Sequence, residues 1–152
     1  MNNFKTLELE VTPALDTAAT SAGDVLCPTV ALTPALAGQT FEGEVVGITV
    51  LDKADQGAAL DVFFLDSEVD LGTAGAAISI SDADAESILR VQSVLPDDYI
   101  DLTGSQFADI ELGKPLKCLQ SLYVALVDRT GGKTYAADSI VLRVYLRADN
   151  PR

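Results

Sequence analysis

The amino-acid sequence predicts an all-β fold: an antiparallel β-sandwich with a jelly-roll-like layout and one short helix near residues 82–89. About nine short apolar or alternating segments follow one another at regular spacing, with turn residues between them. Two long stretches without strand character, Thr12–Asp24 and Asp66–Ser81, favour Greek-key crossings over a simple meander. The chain has 152 residues, the length of one ordinary domain, so we expect residues 1–152 to form a single domain.

The first segment, Phe4–Val11, alternates between apolar and polar side chains, which is typical of a half-buried strand. Pro13 ends it, and the Ala-, Thr- and Ser-rich stretch that follows predicts a loop or an extended arm. We therefore expect residues 1–24 to form an N-terminal strand and arm, and residues 25–148 to form the sandwich body. The body begins with Val25–Leu32, a short strand that a proline interrupts.

The most apolar pattern consists of two strand-like runs, Val45–Leu51 and Ala58–Leu65, on either side of the polar turn Asp52–Gly57. This arrangement predicts a β-hairpin at the centre of one sheet. Both faces of its second arm carry large apolar side chains. Either the domain covers both faces, or the face with Phe63 and Leu65 meets another subunit.

The second half of the chain continues the same pattern. Ser81 has the position of a helix N-cap, because acidic residues fill the turn that follows it. Asp128–Lys133 contains two consecutive glycines and predicts a hairpin turn. In Ile140–Leu146 we expect the even-numbered residues to face the core. Further short strands are indicated over Arg90–Leu95, Tyr99–Leu102, Phe107–Leu112, Pro115–Leu119 and Leu122–Val127.

The charge balance limits the partners. Ten basic and 23 acidic residues give a formal net charge of −13. Such a chain is repelled by phosphate, so we expect neither nucleic acid nor an anionic membrane surface as a partner. No apolar run approaches the ~18 residues of a membrane span, and the first residues lack the pattern of a signal peptide. The acidity indicates either a well-hydrated surface or docking onto a basic patch of a partner.

The sequence shows no catalytic constellation. Histidine is absent, which removes the commonest general base and the usual triads. The densest carboxylate clusters are Asp82/Asp84/Glu86 and Asp97/Asp98, but with 23 acidic residues such clusters arise easily by chance. A carbohydrate cleft would also need aromatic platforms, whereas the chain has no Trp. We therefore expect a protein that is not an enzyme.

Metal and disulfide sites are weakly indicated. Asp52–Gly57 and Ser81–Glu86 offer oxygen ligands for calcium, but neither matches the twelve-residue loop with its closing bidentate Glu. We expect a solvated turn and a capped helix start there, and no cofactor. Cys27 and Cys118 lie in apolar runs and are expected to be small buried side chains, although a disulfide between them stays open.

Three segments of the chain are considered together: Leu15–Val25, then Val62–Asp66 with Ala77–Asp84, and then Leu122–Val127 with Thr134–Ile140. Together they resemble a family of small tailed-bacteriophage head decoration, or capsid cement, proteins. The resemblance implies a β-sandwich that forms trimers on the outside of an icosahedral capsid and stabilises the head. It carries no functional residue over, and the strong acidity here departs from what the family leads us to expect.

We therefore expect a virion protein, made in the host cytoplasm, that binds the major capsid protein and associates with itself, as a homotrimer. The N-terminal arm and the apolar hairpin face would supply the contacts, with Leu15, Thr17, Phe63 and Leu65 as interface residues. One alternative is another virion module, at the head–tail junction or in fibre attachment. A second is a sandwich that binds calcium or carbohydrate.

Overall fold

A computed structural model describes residues 4–12, 15, 17–32, 42–119 and 122–149 of the chain. These residues form two antiparallel sheets, which confirms the predicted all-β sandwich. One sheet has five strands in the order β1-β9-β3-β7-β6, and the other has four in the order β2-β8-β4-β5. The strands are β1 Phe4–Val11, β2 Val25–Ala31, β3 Glu42–Asp52, β4 Leu60–Leu65, β5 Ile88–Val94, β6 Tyr99–Asp101, β7 Gln106–Leu119, β8 Tyr123–Asp128 and β9 Ile140–Asp149.

The strand pairs are nested along the sequence. β1 pairs with β9, β2 with β8, β3 with β7, and β4 with β5, all antiparallel. The nesting resembles a long two-stranded ribbon folded over itself, with β6 as a short addition on β7. Because β1 pairs with β9 along its whole length, the first strand is part of the sandwich and not of a separate arm.

The predicted central hairpin is wrong. β3 lies between β9 and β7 in the five-stranded sheet, whereas β4 lies between β8 and β5 in the other sheet. The polar turn between them is a corner that carries the chain across the sandwich. The buried carboxylate of Asp52 holds this corner, because it accepts backbone N–H bonds from Ala54 (2.9 Å), Gln56 (2.9 Å) and Gly57 (3.0 Å). Two apolar runs around a polar turn carry the same local signal in a hairpin and in such a corner.

The prediction of a hairpin turn after β8 is wrong in the same way. β8 and β9 belong to different sheets, so Asp128–Lys133 is also a corner and not a hairpin turn. Gly131 and Gly132 have the positive φ values, 75° and 66°, that the glycine pair predicts. At Gly131 a Cβ atom would lie 2.7 Å from the backbone nitrogen of Ala22, so this glycine also permits the close approach of residues 21–22.

In the strands that line the core, alternate side chains point between the two sheets, as the sequence predicts. Leu60, Val62 and Phe64 of β4 point into the core and are at most 1 % exposed. The even-numbered residues Ile140, Leu142, Val144 and Leu146 of β9 face them from the other sheet. Cys27 is buried in the same core and is an unpaired thiol, whereas the side chain of Cys118 lies outside the described part of the chain.

A second, smaller cluster covers the outer face of the four-stranded sheet. Phe63 and Leu65 point outward from β4, and the long crossing after β4 folds back over them with Val69 and Leu71. All four side chains are at most 8 % exposed. Of the two possibilities that the sequence left open, the one observed is cover by the chain itself.

The helix near residues 82–89 is shorter than expected. Its single turn, α1, spans Asp82–Ala85, and β5 already begins at Ile88. The N-cap prediction is confirmed, because the Ser81 hydroxyl accepts a hydrogen bond from the Asp84 backbone N–H at 3.1 Å. Pairing of β5 with β4 ends the helix, since tertiary contacts override the local helical preference.

Candidate interaction surface

The four residues expected at an interface do not form one surface. Leu15 is 8 % exposed and packs into the core between the sheets, whereas Thr17 is exposed to solvent. Phe63 (5 % exposed) and Leu65 (0 %) lie under the crossing segment on the outer face of the other sheet. Three of the four are thus covered within the chain, so we place the candidate contacts elsewhere.

The end of the expected arm is fastened to the body. The Thr20 backbone N–H donates to Lys133 O at 2.8 Å, and the Gly23 N–H donates to Asp128 O at 2.7 Å. The Thr20 hydroxyl also donates to the buried carboxylate of Asp128. Residues 20–24 are therefore part of the sandwich and are not free to reach out to a partner.

One side of the sandwich is protected against edge pairing. At the β2 edge the chain around residue 76 supplies hydrogen bonds, from the Val25 N–H to Ala76 O at 2.8 Å and from the Gly75 N–H to Val25 O at 2.9 Å. At the β1 edge Glu8 and Glu10 are exposed and bind Arg143. Covering segments and charged side chains are the usual devices that prevent unwanted strand addition.

The opposite side lacks such cover, and we call it the open edge. It consists of β5, β6 and residues 109–119 of β7. β5 pairs only with β4, and β6 covers only residues 106–108 of β7. Among the described residues no strand pairs with the outer edge of β5 or with residues 109–119 of β7 on the side away from β3. The open edge thus presents unpaired strand backbone from both sheets.

The open edge also carries exposed apolar side chains. Within the described part of the chain, the large apolar residues that are at least 36 % exposed all lie between residues 89 and 102. They are Leu89 (36 %), Val91 (40 %), Leu95 (55 %), Ile100 (64 %) and Leu102 (53 %). Exposed apolar groups that cluster beside unpaired strand backbone are typical of a protein–protein contact.

We call the end of this edge near β6, with Leu95, Ile100 and Leu102, the apolar end. Sequence reasoning missed it, because these residues appeared only as members of short strand and turn segments. The available signal was three large apolar residues interspersed with Asp97, Asp98 and Asp101, where a turn would normally be polar throughout.

At its other end the open edge forms a groove of about 610 Å³ between β5 and β7. We call it the basic groove. It is lined by Glu44, Leu89, Arg90, Lys114, Pro115, Leu116 and Lys117. A guanidinium nitrogen of Arg90 donates to the Lys114 carbonyl, which links the edges of the two sheets.

The groove owes its shape to an irregularity in β7. The pairing of β3 with β7 jumps from Val45↔Leu116 to Gly47↔Glu111, so residues 112–115 bulge out of the ladder. Pro115 has no N–H to contribute to a ladder, which suits a bulge on an edge strand. The bulge brings Lys114 toward Arg90.

In the two turns considered for calcium, the acidic side chains already accept hydrogen bonds from nearby groups of the chain. The Asp52 carboxylate accepts three N–H groups, and Asp84 accepts the hydroxyl of Ser81 while its N–H donates back to that hydroxyl. Over the residues that the structure describes, no group of three or more acidic or cysteine side chains is placed to hold a metal ion. The first turn is therefore a corner held by the buried Asp52 and not the solvated turn that was expected, whereas the second begins a capped helix as predicted.

Burial raises the pKa of the Cys27 thiol to about 12. Burial also raises the pKa values of Tyr99 and Tyr135, with smaller contributions from Asp52 and Asp128. In each case folding disfavours the ionised form. The unfolded chain therefore loses these protons at lower pH than the folded chain does, and stability must fall as pH rises.

We expect these three groups to leave the free energy of unfolding unchanged below about pH 8 and to lower it progressively above about pH 9. Cys27 alone contributes a slope of up to about 1.4 kcal/mol per pH unit. Urea unfolding at pH 8 and pH 10 measures this, with Cys27→Ala as the control that lacks the thiol. An equal loss in wild type and Cys27→Ala would show that Cys27 does not cause the slope.

A scan against models of known protein families and a search of curated proteins find no match to this chain. In the described part of the chain, no helix is long and apolar enough to cross a membrane.

Proposed function

We propose that this protein is a non-enzymatic capsid decoration protein of a tailed bacteriophage, which binds the outside of the major capsid lattice and stabilises the head. The resemblance of the three segments to that family is the first support. The second support is the two-sheet antiparallel sandwich, which is the fold that the resemblance implies. In this role the protein is made in the host cytoplasm and ends on the outer surface of the virion.

The observation that carries the proposal is the apolar end of the open edge. Ile100 and Leu102 are more than half exposed beside the free edge of β6, whereas the opposite side of the sandwich is covered or charged. An open edge of this kind promotes aggregation of a monomer, but it provides a contact surface when subunits assemble. We propose that the apolar end is the contact between subunits of a homotrimer, in place of the face with Phe63 and Leu65.

The test is the double substitution Ile100→Glu with Leu102→Glu. Both side chains are exposed, so we expect the thermal midpoint to stay within a few degrees while the trimer dissociates to single chains. Light scattering during size-exclusion chromatography measures the mass. The matched control is Thr134→Glu with Ala136→Glu, two exposed positions in the segment between β8 and β9, which we expect to leave the trimer intact.

Sedimentation with expanded heads that lack the protein tests the capsid role directly. We expect wild type to sediment with the heads in many copies per particle and to raise their resistance to heat. A wild-type protein that stays monomeric at high concentration and does not sediment with heads contradicts the proposal. Labelled protein confined to one vertex would instead indicate the alternative, a head–tail or fibre-attachment module.

A further inference from the structure

The basic groove carries positive charge, whereas the protein as a whole is strongly acidic. Arg90, Lys114 and Lys117 lie together in a chain that has 23 acidic and only ten basic residues. Elsewhere Arg129 pairs with Asp61, and Arg143 pairs with Glu8 and Glu10. The three groove cations, by contrast, form no ion pair with any described residue.

One acidic residue, Glu44, lines the groove and lies opposite both Lys117 and Arg147 in the sheet. Its carboxylate is bridged to Arg147, with an oxygen 2.6 Å from a guanidinium nitrogen, so one carboxylate is shared between two cations. Arg90 is held in place by its hydrogen bond to the Lys114 carbonyl, which leaves the other guanidinium N–H groups to bind further acceptors. The groove therefore presents three positive charges on a protein whose overall charge is −13.

The groove also has the features of a strand-addition site. Its walls are the free edges of β5 and β7, with unpaired backbone groups, and Leu89, Pro115 and Leu116 supply apolar contacts. Peptides that add to a sheet edge gain affinity from main-chain hydrogen bonds and specificity from alternate side chains.

From these observations we propose that the basic groove binds an extended, carboxylate-rich segment of a partner protein, about four to eight residues long. Carboxylates of the segment pair with Arg90, Lys114 and Lys117, its alternate apolar side chains contact Leu89 and Leu116, and its backbone pairs with a strand edge. The inference rests on the charges and edges of the groove, and it holds whether or not the protein decorates capsids.

The overall charge argues against a nucleic acid as the occupant. A nucleic acid carries phosphates over a long distance and is repelled by the acidic surface beyond the groove. A short acidic segment places its charges only where the cations are, so it gains the attraction without the long-range repulsion.

The test uses a labelled eight-residue peptide of alternating valine and glutamate, with fluorescence anisotropy at low salt and at about 0.15 M salt. We expect binding that weakens with salt, and no binding of the matched valine–glutamine peptide. Replacing Arg90, Lys114 and Lys117 together by glutamine should weaken binding at least tenfold. Lys53→Gln, an exposed lysine in the corner after β3, is the control and should bind as wild type does.

Backbone NMR shifts locate the site independently, and we expect the largest changes at residues 89–90 and 113–117. If the triple variant does not fold, Lys117→Gln alone, at an exposed position, should still weaken binding measurably. Any of four results overturns the proposal: no binding to wild type at low salt, equal binding by the triple variant, equal loss in Lys53→Gln, or equally tight binding of short polyphosphate. A triple variant that changes only the oligomeric state also overturns it, because a second copy would then be the occupant.

Discussion

Phe63→Asp is expected to unfold the protein and not merely to dissociate an assembly. Phe63 is 5 % exposed between β4 and the crossing segment that carries Val69 and Leu71. A carboxylate at that place is removed from water and surrounded by the apolar side chains of the cluster. The lost apolar contacts and the buried charge together cost more than about 4 kcal/mol, a large part of the ~5–15 kcal/mol that stabilises a domain.

Val91→Asp is the matched control for this change. Val91 lies directly opposite Phe63 in the pairing of β5 with β4, so the two side chains share a face of the sheet. Val91 is 40 % exposed, and we expect its replacement to cost less than about 1 kcal/mol. Circular dichroism during urea unfolding measures both. A folded Phe63→Asp protein with altered mass would show instead that the outer face of β4 is an interface.

Asp128→Ala is expected to cost about 3 kcal/mol, the second largest effect. Asp128 is fully buried at the end of β8, and its carboxylate accepts three hydrogen bonds. The donors are the Thr20 hydroxyl and the backbone N–H groups of Thr130 (2.8 Å) and Gly131 (3.2 Å). Alanine leaves these donors without their acceptor, so residues 20–24 lose one of their attachments to the corner between β8 and β9, while their backbone hydrogen bonds to it remain.

Asp109→Ala provides the comparison, because Asp109 is exposed on β7 and its loss should change stability by less than about 0.5 kcal/mol. Thr20→Val, alone and combined with Asp128→Ala, tests the link to the arm, since the two effects should be less than additive if the hydroxyl and carboxylate act together. Urea unfolding at pH 7 measures all four variants. Equal costs for Asp128→Ala and Asp109→Ala would contradict the proposed anchor.

The side-chain pattern predicted the faces of the strands correctly. Leu60, Val62 and Phe64 face the core between the sheets, and Phe63 with Leu65 faces the opposite way. The alternation in β9 and the N-cap at Ser81 are confirmed as well. These features depend on neighbours within a few residues, because the two-residue period of a strand and the geometry of a cap are local properties.

The pairing of the strands could not be predicted in the same way. Only seven residues, 53–59, join β3 to β4, and the two strands still belong to different sheets. β8 and β9 also belong to different sheets. β3 pairs instead with β7, whose pairing residues are 54 to 77 positions away, and with β9, which lies still further along the chain. A strand with an apolar face can pair with any other strand of the same pattern, so only the packing of the whole chain determines which strands pair.

The burial of the expected interface residues within the chain could not be predicted for the same reason. Phe63 and Leu65 were correctly identified as an apolar outer face, but nothing local indicated that Val69 and Leu71 would cover it. The basic groove joins Arg90 of one sheet to Lys114 of the other, and the bulge that joins them is set by the pairing of β3 with β7.

The sequence by itself determined the all-β class, the inward and outward faces of its strands, and the strongly acidic composition. The tertiary structure alone decided which strands pair, which apolar face the chain covers, and which edge stays open. The division has one physical cause. The alternation of side chains and the charge depend on each residue and its nearest neighbours. Strand pairing and the burial of an apolar face depend on contacts between distant segments, and several such segments fit the local pattern equally well.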